Sequence, residues 1–536
     1  MSSHRRIEDV LADRSVFVTG FTGFLGKVLV EKLIYSVPKI KKVYCLIRPQ
    51  KGHSPNDRLQ KILESTLFNR IRSVNPGILS KIHAVAGDLT EDGLGLNQHD
   101  HQEICDNVHV VFHCAATVRF DEPLQDAVQM NLMGTARIVA LCHSIHNLLC
   151  LMHTSTAYAN CDLKMTDEKI YDSPVAPSKL LEAVDWMDEE IIDMITPKLL
   201  GNRPNTYTLT KALAESFLKE EGHRIPTIIV RPSIIGSCWR EPIPGWTDNY
   251  NGATGVFAAV ATGALTNMRG SSASRADIVP VDIVSNMCIA AAAHRMQTQY
   301  SEIPVMHCAS GDLNPVYWSF IVSLVDRFYV EYPITNMMRV PAGTFHQSHL
   351  MWWINWKFYH HLPSQIADWT NGIMGKRKRY MRLYGKVERM IEALHYFTTN
   401  EWIFRSTALP KLYDELTTED KHTFNFDIRQ VDWHSYMFDY FMGTRRHVLK
   451  EELETIPEGL KLAQKLRYKR FLLQAVLCFV GLRLFGWNKT TKRQRWTSWA
   501  LAVLTAHWYT NRHSGPPVKM KTLEEYKKNA MQTFYC

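Results

Sequence analysis

Several signatures are missing from this 536-residue chain, and each absence removes a class of function. None of the eleven cysteines stands in a CxxC pair, so zinc ribbons and thioredoxin-type redox centres are excluded. A chain this long needs no disulfide staples. The scattered thiols, Cys45, Cys105, Cys114, Cys142, Cys150 and Cys161 among them, read as reduced core residues of a body facing the cytosol. There is no HExxH motif, and His346/His349 and His360/His361 lack supporting ligands; these histidines read as structural or interfacial, and no metal is expected. Met1 to Arg14 is polar and charged and runs straight into a strand, so no signal peptide is expected. Internal repeats and low-complexity segments are also missing.

Basic charge is scarce outside the C-terminal end. The whole chain has 62 Lys and Arg against 53 Asp and Glu, but residues 461–536 hold fifteen of those bases and two of the acids, a net +13. The remaining residues carry 47 bases against 51 acids, a net −4. A weakly acidic body argues against a nucleic-acid-binding surface and assigns the basic character to whatever the tail touches.

A hydrophobic content of 46% with 21% charged residues describes an ordered globular protein. Its length exceeds what one core normally supports. The first third alternates short β-branched runs with amphipathic stretches, the pattern of a Rossmann-type doubly wound parallel α/β sheet. Strands are expected at Ser15–Thr19, Lys42–Ile47, His83–Ala86, His109–Cys114, Leu149–Thr154 and Thr227–Arg231. The expected division is a reductase domain over 1–340, a smaller helical domain over 341–460, and a basic, hydrophobic tail over 461–536. The aromatic cluster Trp352–Tyr359 reads as helical core or as a membrane-interface belt.

Directly after the first strand come Gly20, Gly23 and Gly26, with Phe21, Thr22, Phe24 and Leu25 between them and a helical stretch behind. At a strand-to-helix turn such glycines permit a tight bend and close approach of a pyrophosphate to backbone N–H groups. The second strand ends at Arg48, with Lys51 nearby, where an NAD site usually offers an acid for the ribose hydroxyls. A guanidinium suits a 2′-phosphate instead, so NADPH is the expected cofactor. Asp88 and Leu89 close the third strand, with Asp88 placed to reach the adenine amino group. Ala115 follows the fourth strand, where small residues allow the dinucleotide to cross the sheet edge, and Pro232 follows the sixth.

The chemistry is expected from Ser155 and Thr156 after the fifth strand and from Tyr207 and Lys211, which share a helix face at i, i+4. Lys211 would bind the nicotinamide ribose, and its charge would lower the phenol pKa of Tyr207, the proton donor to a carbonyl oxygen. Thr156, or the adjacent Ser155, would hydrogen-bond that oxygen as its charge develops.

The segments TGFTGFLGKVLVEKL, CLIRPQKG, HCAATVRFDEPL, STAYANC, YTLTKALAE, IVRPSII, EPIPGWTDN and DIVPVDIVSN together resemble the alcohol-forming fatty acyl-CoA reductases, particularly those of insects, within the extended short-chain dehydrogenases. The resemblance extends to about residue 300 and resumes in the aromatic helical unit. Phe21 departs from it, where the family often has a small residue, as does Thr154, where valine is common. The resemblance implies a two-step NADPH reduction of a long-chain acyl-CoA thioester to a primary alcohol, with loss of CoA. A reductase that stops at the aldehyde, a sterol-type dehydrogenase, and a silent NADPH-binding membrane scaffold share many of the same residues.

Two segments of the tail are apolar, Phe471 to Trp487 and Trp496 to Tyr509. A helix needs roughly 20 residues to cross the hydrocarbon layer, so each is marginal, and Arg483 would cost roughly 3 kcal/mol at the bilayer centre. The tail is expected to contact membrane lipid by spanning it or by lying in one leaflet, with core burial as the alternative. The catalytic body would then face the cytosol at the endoplasmic reticulum or peroxisomal membrane.

Overall fold

The computed structural model describes residues 5–222, 224–485, 492–511 and 522–526. Its centre is a seven-stranded sheet: β1 Ser15–Thr19, β2 Lys42–Ile47, β3 Ile82–Ala86, β4 Val108–His113, β5 Cys150–Thr154, β6 Thr227–Pro232 and β7 Val305–Cys308. The spatial order is β7-β6-β5-β4-β1-β2-β3, and every neighbouring pair is parallel. β1, β5 and β6 are buried along their whole length, which is why they read as unbroken apolar runs. The six expected strands are present within a residue or so of their expected bounds. The seventh, the short VMHC at the sheet edge, has no pattern of its own in the sequence.

All strand ends therefore face one edge. β1 lies between β2 and β4, so the order in which strands are added across the sheet reverses beside Gly20, the position at which doubly wound sheets bind their ligands. The helices that bear on function are α1 Phe24–Ser36, α2 Thr206–Glu221, α3 Val281–Gln297, α4 His349–Trp356, α5 Leu362–Ile373, α6 Tyr380–Thr399, α7 Trp433–Gly443, α8 Ile456–Phe485 and α9 Lys492–Asn511. α3 is buried over its first thirteen residues, packed between α1 and the sheet.

The C-terminal half is mostly helical but is woven into the first. Thr344–His346 pairs with Asn267–Arg269, and Ile403–Phe404 pairs with Met165–Thr166. The Asp420 carboxylate accepts from the Ile7 backbone N–H at 3.1 Å. One hydrophobic cluster runs from Ile7 through the α7 aromatics to Tyr526. Two of the questioned histidines are structural: His360 Nε2 lies 2.9 Å from Thr266 Oγ1, and His346 Nε2 lies 3.0 Å from Asn267 Oδ1. The ten cysteines among the described residues are free thiols.

Among the described residues, no helix is long and apolar enough to cross a membrane. α8 carries Gln474 and Arg483 within its apolar stretch, after five bases between Lys461 and Arg470. Trp487 and the linking base Lys489 lie outside the described residues, as do the side chains of Trp508 and Tyr509.

Candidate active site

The loop after β1 depends on two of its glycines. Gly20 has φ +79°, and a Cβ there would lie 2.7 Å from the Ala115 backbone nitrogen. A Cβ on Gly26 would lie 2.2 Å from the Gly20 carbonyl oxygen. Only glycine allows β1, α1 and the β4 loop to approach this closely. α1 opens at Gly23 with no capping side chain among the described residues, so its first-turn N–H groups suit a pyrophosphate. This cradle fits a dinucleotide. Phe21 is fully buried in the core, so its departure from the usual small residue leaves the phosphate position clear. Thr22 is half-buried on the same loop. Phe24 lines the cavity and stacks on Trp246 at 5.7 Å.

At the far end of the sheet the Arg48 guanidinium pairs with Asp88, Nε to Oδ2 at 2.6 Å. Burial pushes the Asp88 carboxyl up, but hydrogen bonds from Thr90 and the charge of Arg48 outweigh it and hold it below the ordinary value. Arg58, which the sequence did not single out, donates to the Arg48 carbonyl and brings a second guanidinium to this corner. Lys51 is exposed on the turn between Gln50 and His53. Leu89 is a core residue, packed where any side chain on Gly134 would sit, and it does not line the cavity.

The reaction centre forms where β5 meets α2. The Asn205 side chain caps α2 by accepting from the Thr208 N–H at 3.0 Å, which fixes Tyr207 in the first turn. The Ser155 N–H donates to the Val230 carbonyl at 2.8 Å. Tyr207, Lys211, Ser155 and Thr156 line one cavity of about 640 Å³ together with Gly20, Gly23, Leu25, Gly26 and Pro232. Thr156 receives the Tyr158 N–H at 3.2 Å, and its hydroxyl is hydrogen-bonded to Tyr207. The Ser155 hydroxyl is buried with no hydrogen-bond partner among the described residues, so it is the donor available to a developing oxyanion, whereas Thr156 orients the tyrosine.

One electrostatic expectation is corrected. The Tyr207 phenol is not lowered: burial pushes it up to about 12, with the Thr156 hydrogen bond opposing. The Lys211 ammonium instead donates to the Thr154 carbonyl at 2.8 Å. Burial pushes Lys211 itself down to about 8, against the opposing influence of Cys114 and Glu215. Tyr207 is thus held neutral and proton-bearing, the form a reduction requires. Behind Lys211, Glu215 makes a bidentate pair with Arg231 at 2.8 and 2.6 Å, both residues 1% exposed.

The opposite wall was missed. Lys386, Arg389, Met390, Ala393, Leu394 and Phe397 of α6 line the cavity. Their i, i+3, i+4, i+7 spacing is a single helix face, legible in the sequence but not singled out there. Phe120 connects the two walls, 5.7 Å from the Tyr207 ring and 5.2 Å from Phe397.

Comparison with known proteins agrees with this arrangement. An NAD-binding family model described as "Male sterility protein" matches residues 18–288, and a second with the same description matches residues 359–451, which include all of α6. The chain is 40% identical over 492 residues to Fatty acyl-CoA reductase 1 of Gallus gallus, covering 91% of this chain and 95% of that one. It is equally identical to the Homo sapiens protein of that name over the same span. Fatty acyl-CoA reductase 2 of Bos taurus is 36% identical over 483 residues, 90% of this chain and 94% of that one. Among solved structures, the reductase domain of a nonribosomal peptide synthetase from Mycobacterium tuberculosis shares the fold, with TM-score 0.56 and 15% identity over 82% of this chain and 95% of that one. The terminal R domain of the myxalamid pathway does so with TM-score 0.55 and 18% identity, over 82% of this chain and 93% of that one. With a nicotinamide-dinucleotide cradle on one wall of its cavity and a tyrosine–lysine centre beside it, the chain is an oxidoreductase and belongs to the fatty acyl-CoA reductase family.

Proposed function

We propose that the enzyme reduces long-chain fatty acyl-CoA to the primary alcohol in two rounds with NADPH, releasing CoA and using no metal. The observation that carries this reading is the neutral, Thr156-oriented Tyr207 beside the unpaired Ser155 hydroxyl, in the cavity that also holds the glycine cradle. When bound, the nicotinamide supplies a hydride to the carbonyl carbon in each round. Tyr207 gives its proton to the carbonyl oxygen while Ser155 hydrogen-bonds the same atom. The resulting hemithioacetal expels the CoA thiol, and the aldehyde is reduced between the same two hydroxyls. Lys211 keeps a positive charge beneath them.

The preference for NADPH over NADH rests on Arg48, which pairs with Asp88 at the end of β3 and is backed by Arg58, with no acid at the end of β2. Arg48→Gln is expected to raise the KM for NADPH by about ten- to hundredfold while leaving that for NADH nearly unchanged; equal changes for both would remove the assignment. Product analysis tests the overall reaction. Purified full-length protein with labelled palmitoyl-CoA should yield hexadecanol, one free CoA and two oxidised NADPH per alcohol. Accumulating aldehyde with one NADPH per CoA would assign a single-step reductase, and no CoA release would exclude the thioester as substrate.

The basic, apolar tail supports a membrane-associated enzyme with its catalytic body in the cytosol, on the endoplasmic reticulum or peroxisomal membrane. Organelle fractionation of the tagged full chain decides between the two.

A further inference from the structure

The helices before α6 present a surface of unusual composition. Residues 349–382 contain six bases and a single acid, Asp368. That acid is buried and accepts from the backbone N–H groups of Arg379, Tyr380 and Met381 at 2.9, 3.1 and 2.9 Å. It closes the turn from α5 into α6 and contributes no charge to the surface. What faces outward is apolar and cationic. Ile366, Trp369 and Ile373 of α5, spaced i, i+3, i+7, are 53, 67 and 68% exposed. Trp353, Phe358 and Tyr359 are exposed beside them, and Lys376 to Arg379 follow directly, all four exposed.

The patch is held in place from behind. Trp352 and Trp356 turn inward and stack at 5.9 Å, and Trp356 stacks on His360 at 4.6 Å. The aromatic cluster is therefore split, half of it core and half displayed. The surface also continues onto the tail: the Tyr359 phenol acts electrostatically on Arg470 of α8, and beyond it Leu472, Leu473, Val476 and Leu477 are exposed. Large apolar side chains displayed together over two helices mark a binding surface. The flanking bases without a competing exposed acid match an anionic lipid surface in particular.

We propose that residues 349–382 form a membrane-seating surface, distinct from the tail, whose apolar face enters one leaflet while Lys376 to Arg379 lie among anionic headgroups. The geometry has a consequence for the cavity. α6 begins at the headgroup-level bases, and its residues Lys386 and Arg389 line the cavity, about 10 to 15 Å further along a helix rising 1.5 Å per residue. The active site would then open beside the leaflet that stores a long-chain substrate or product. This surface does not depend on which carbonyl is reduced.

Hydrogen exchange on the full-length protein tests it, with and without vesicles of phosphatidylcholine containing phosphatidylserine. Peptides from 349–382 are expected to exchange several-fold more slowly with vesicles. In the variant carrying I366E, W369E and I373E, that protection should disappear while protection in α8 persists. None of these three residues lines the cavity, so the variant should keep its activity in detergent solution. Unchanged exchange over 349–382 on adding vesicles overturns the proposal, whatever the tail does. Protection that appears without vesicles and grows with protein concentration, alongside a dimer mass by light scattering, overturns it in favour of a second copy of the chain.

Discussion

At the scale of single residues, function rests on how burial divides the protons between Tyr207 and Lys211. Burial raises the phenol to about 12 and lowers the ammonium to about 8, because each group is pushed towards its neutral form in a low-dielectric site. Tyr207 is then protonated across the accessible pH range, and the group that titrates near neutrality is the lysine. Lys211 is cationic below about 8 and loses its charge above it. The pH profile of kcat/KM should therefore be level below that value and fall above it. Glu215 supports the charge, so Glu215→Gln should move this limb to lower pH; a limb unmoved in that variant would separate it from Lys211. Tyr207→Phe should reduce turnover by about 10²–10⁴-fold with little change in NADPH affinity by fluorescence titration. Wild-type rates in that variant would remove the proton-donor role. Ser155→Ala should lower kcat more than KM, as expected for a donor whose hydrogen bond strengthens as the oxygen becomes negative.

At the scale of elements, the parts most legible in the sequence were those that repeat a local rule. The strands buried on both faces, the glycines at the first strand-to-helix turn, and the Tyr207/Lys211 pair on one face of α2 each follow from spacing over a few residues. β7 escaped because four residues, VMHC, carry no period, and it is placed by pairing with β6. The α6 wall escaped for a different reason: its apolar stripe is periodic, but periodicity does not tell a helix face packed on a core from one packed on a cavity. The roles of Ser155 and Thr156 were likewise open in the sequence, since adjacent hydroxyls are separated only by the hydrogen bonds that Tyr158 and Tyr207 make to one of them. The wall makes its own prediction. Ala393 is the smallest side chain on the α6 face of the cavity, so Ala393→Trp should fill space there and shift the ratio of kcat/KM values towards shorter acyl-CoA substrates. An unchanged chain-length profile would place the acyl chain elsewhere in the cavity.

At the scale of the whole molecule, the question is where the tail goes, and the packing of its two ends decides the parity of any membrane crossing. α8 leaves the body with Ile456 and Ala463 buried. α9 runs back against it, with the Trp499 indole N–H donating to the Ala475 carbonyl at 3.0 Å. After α9 the chain returns to the body: Tyr526 is 4% exposed and meets Phe438 of α7 with ring centroids 6.0 Å apart. Arg446 donates to its hydroxyl at 3.5 Å. A chain held to the same body before α8 and after α9 would cross a bilayer an even number of times or not at all, so a single span is not expected. Two crossings would need helices longer or more apolar than the described ones provide, so the hairpin is expected to dip into one leaflet and return. A tag fused after residue 536 should therefore lie on the same side of the membrane as the catalytic body. In sealed vesicles bearing the full-length protein, added protease should remove the tag without detergent, at the rate at which it cuts an exposed loop of the body. A tag protected until detergent is added would mean that the tail spans once, that Tyr526 does not remain on α7 in the membrane, and that the anchor is separable from the body.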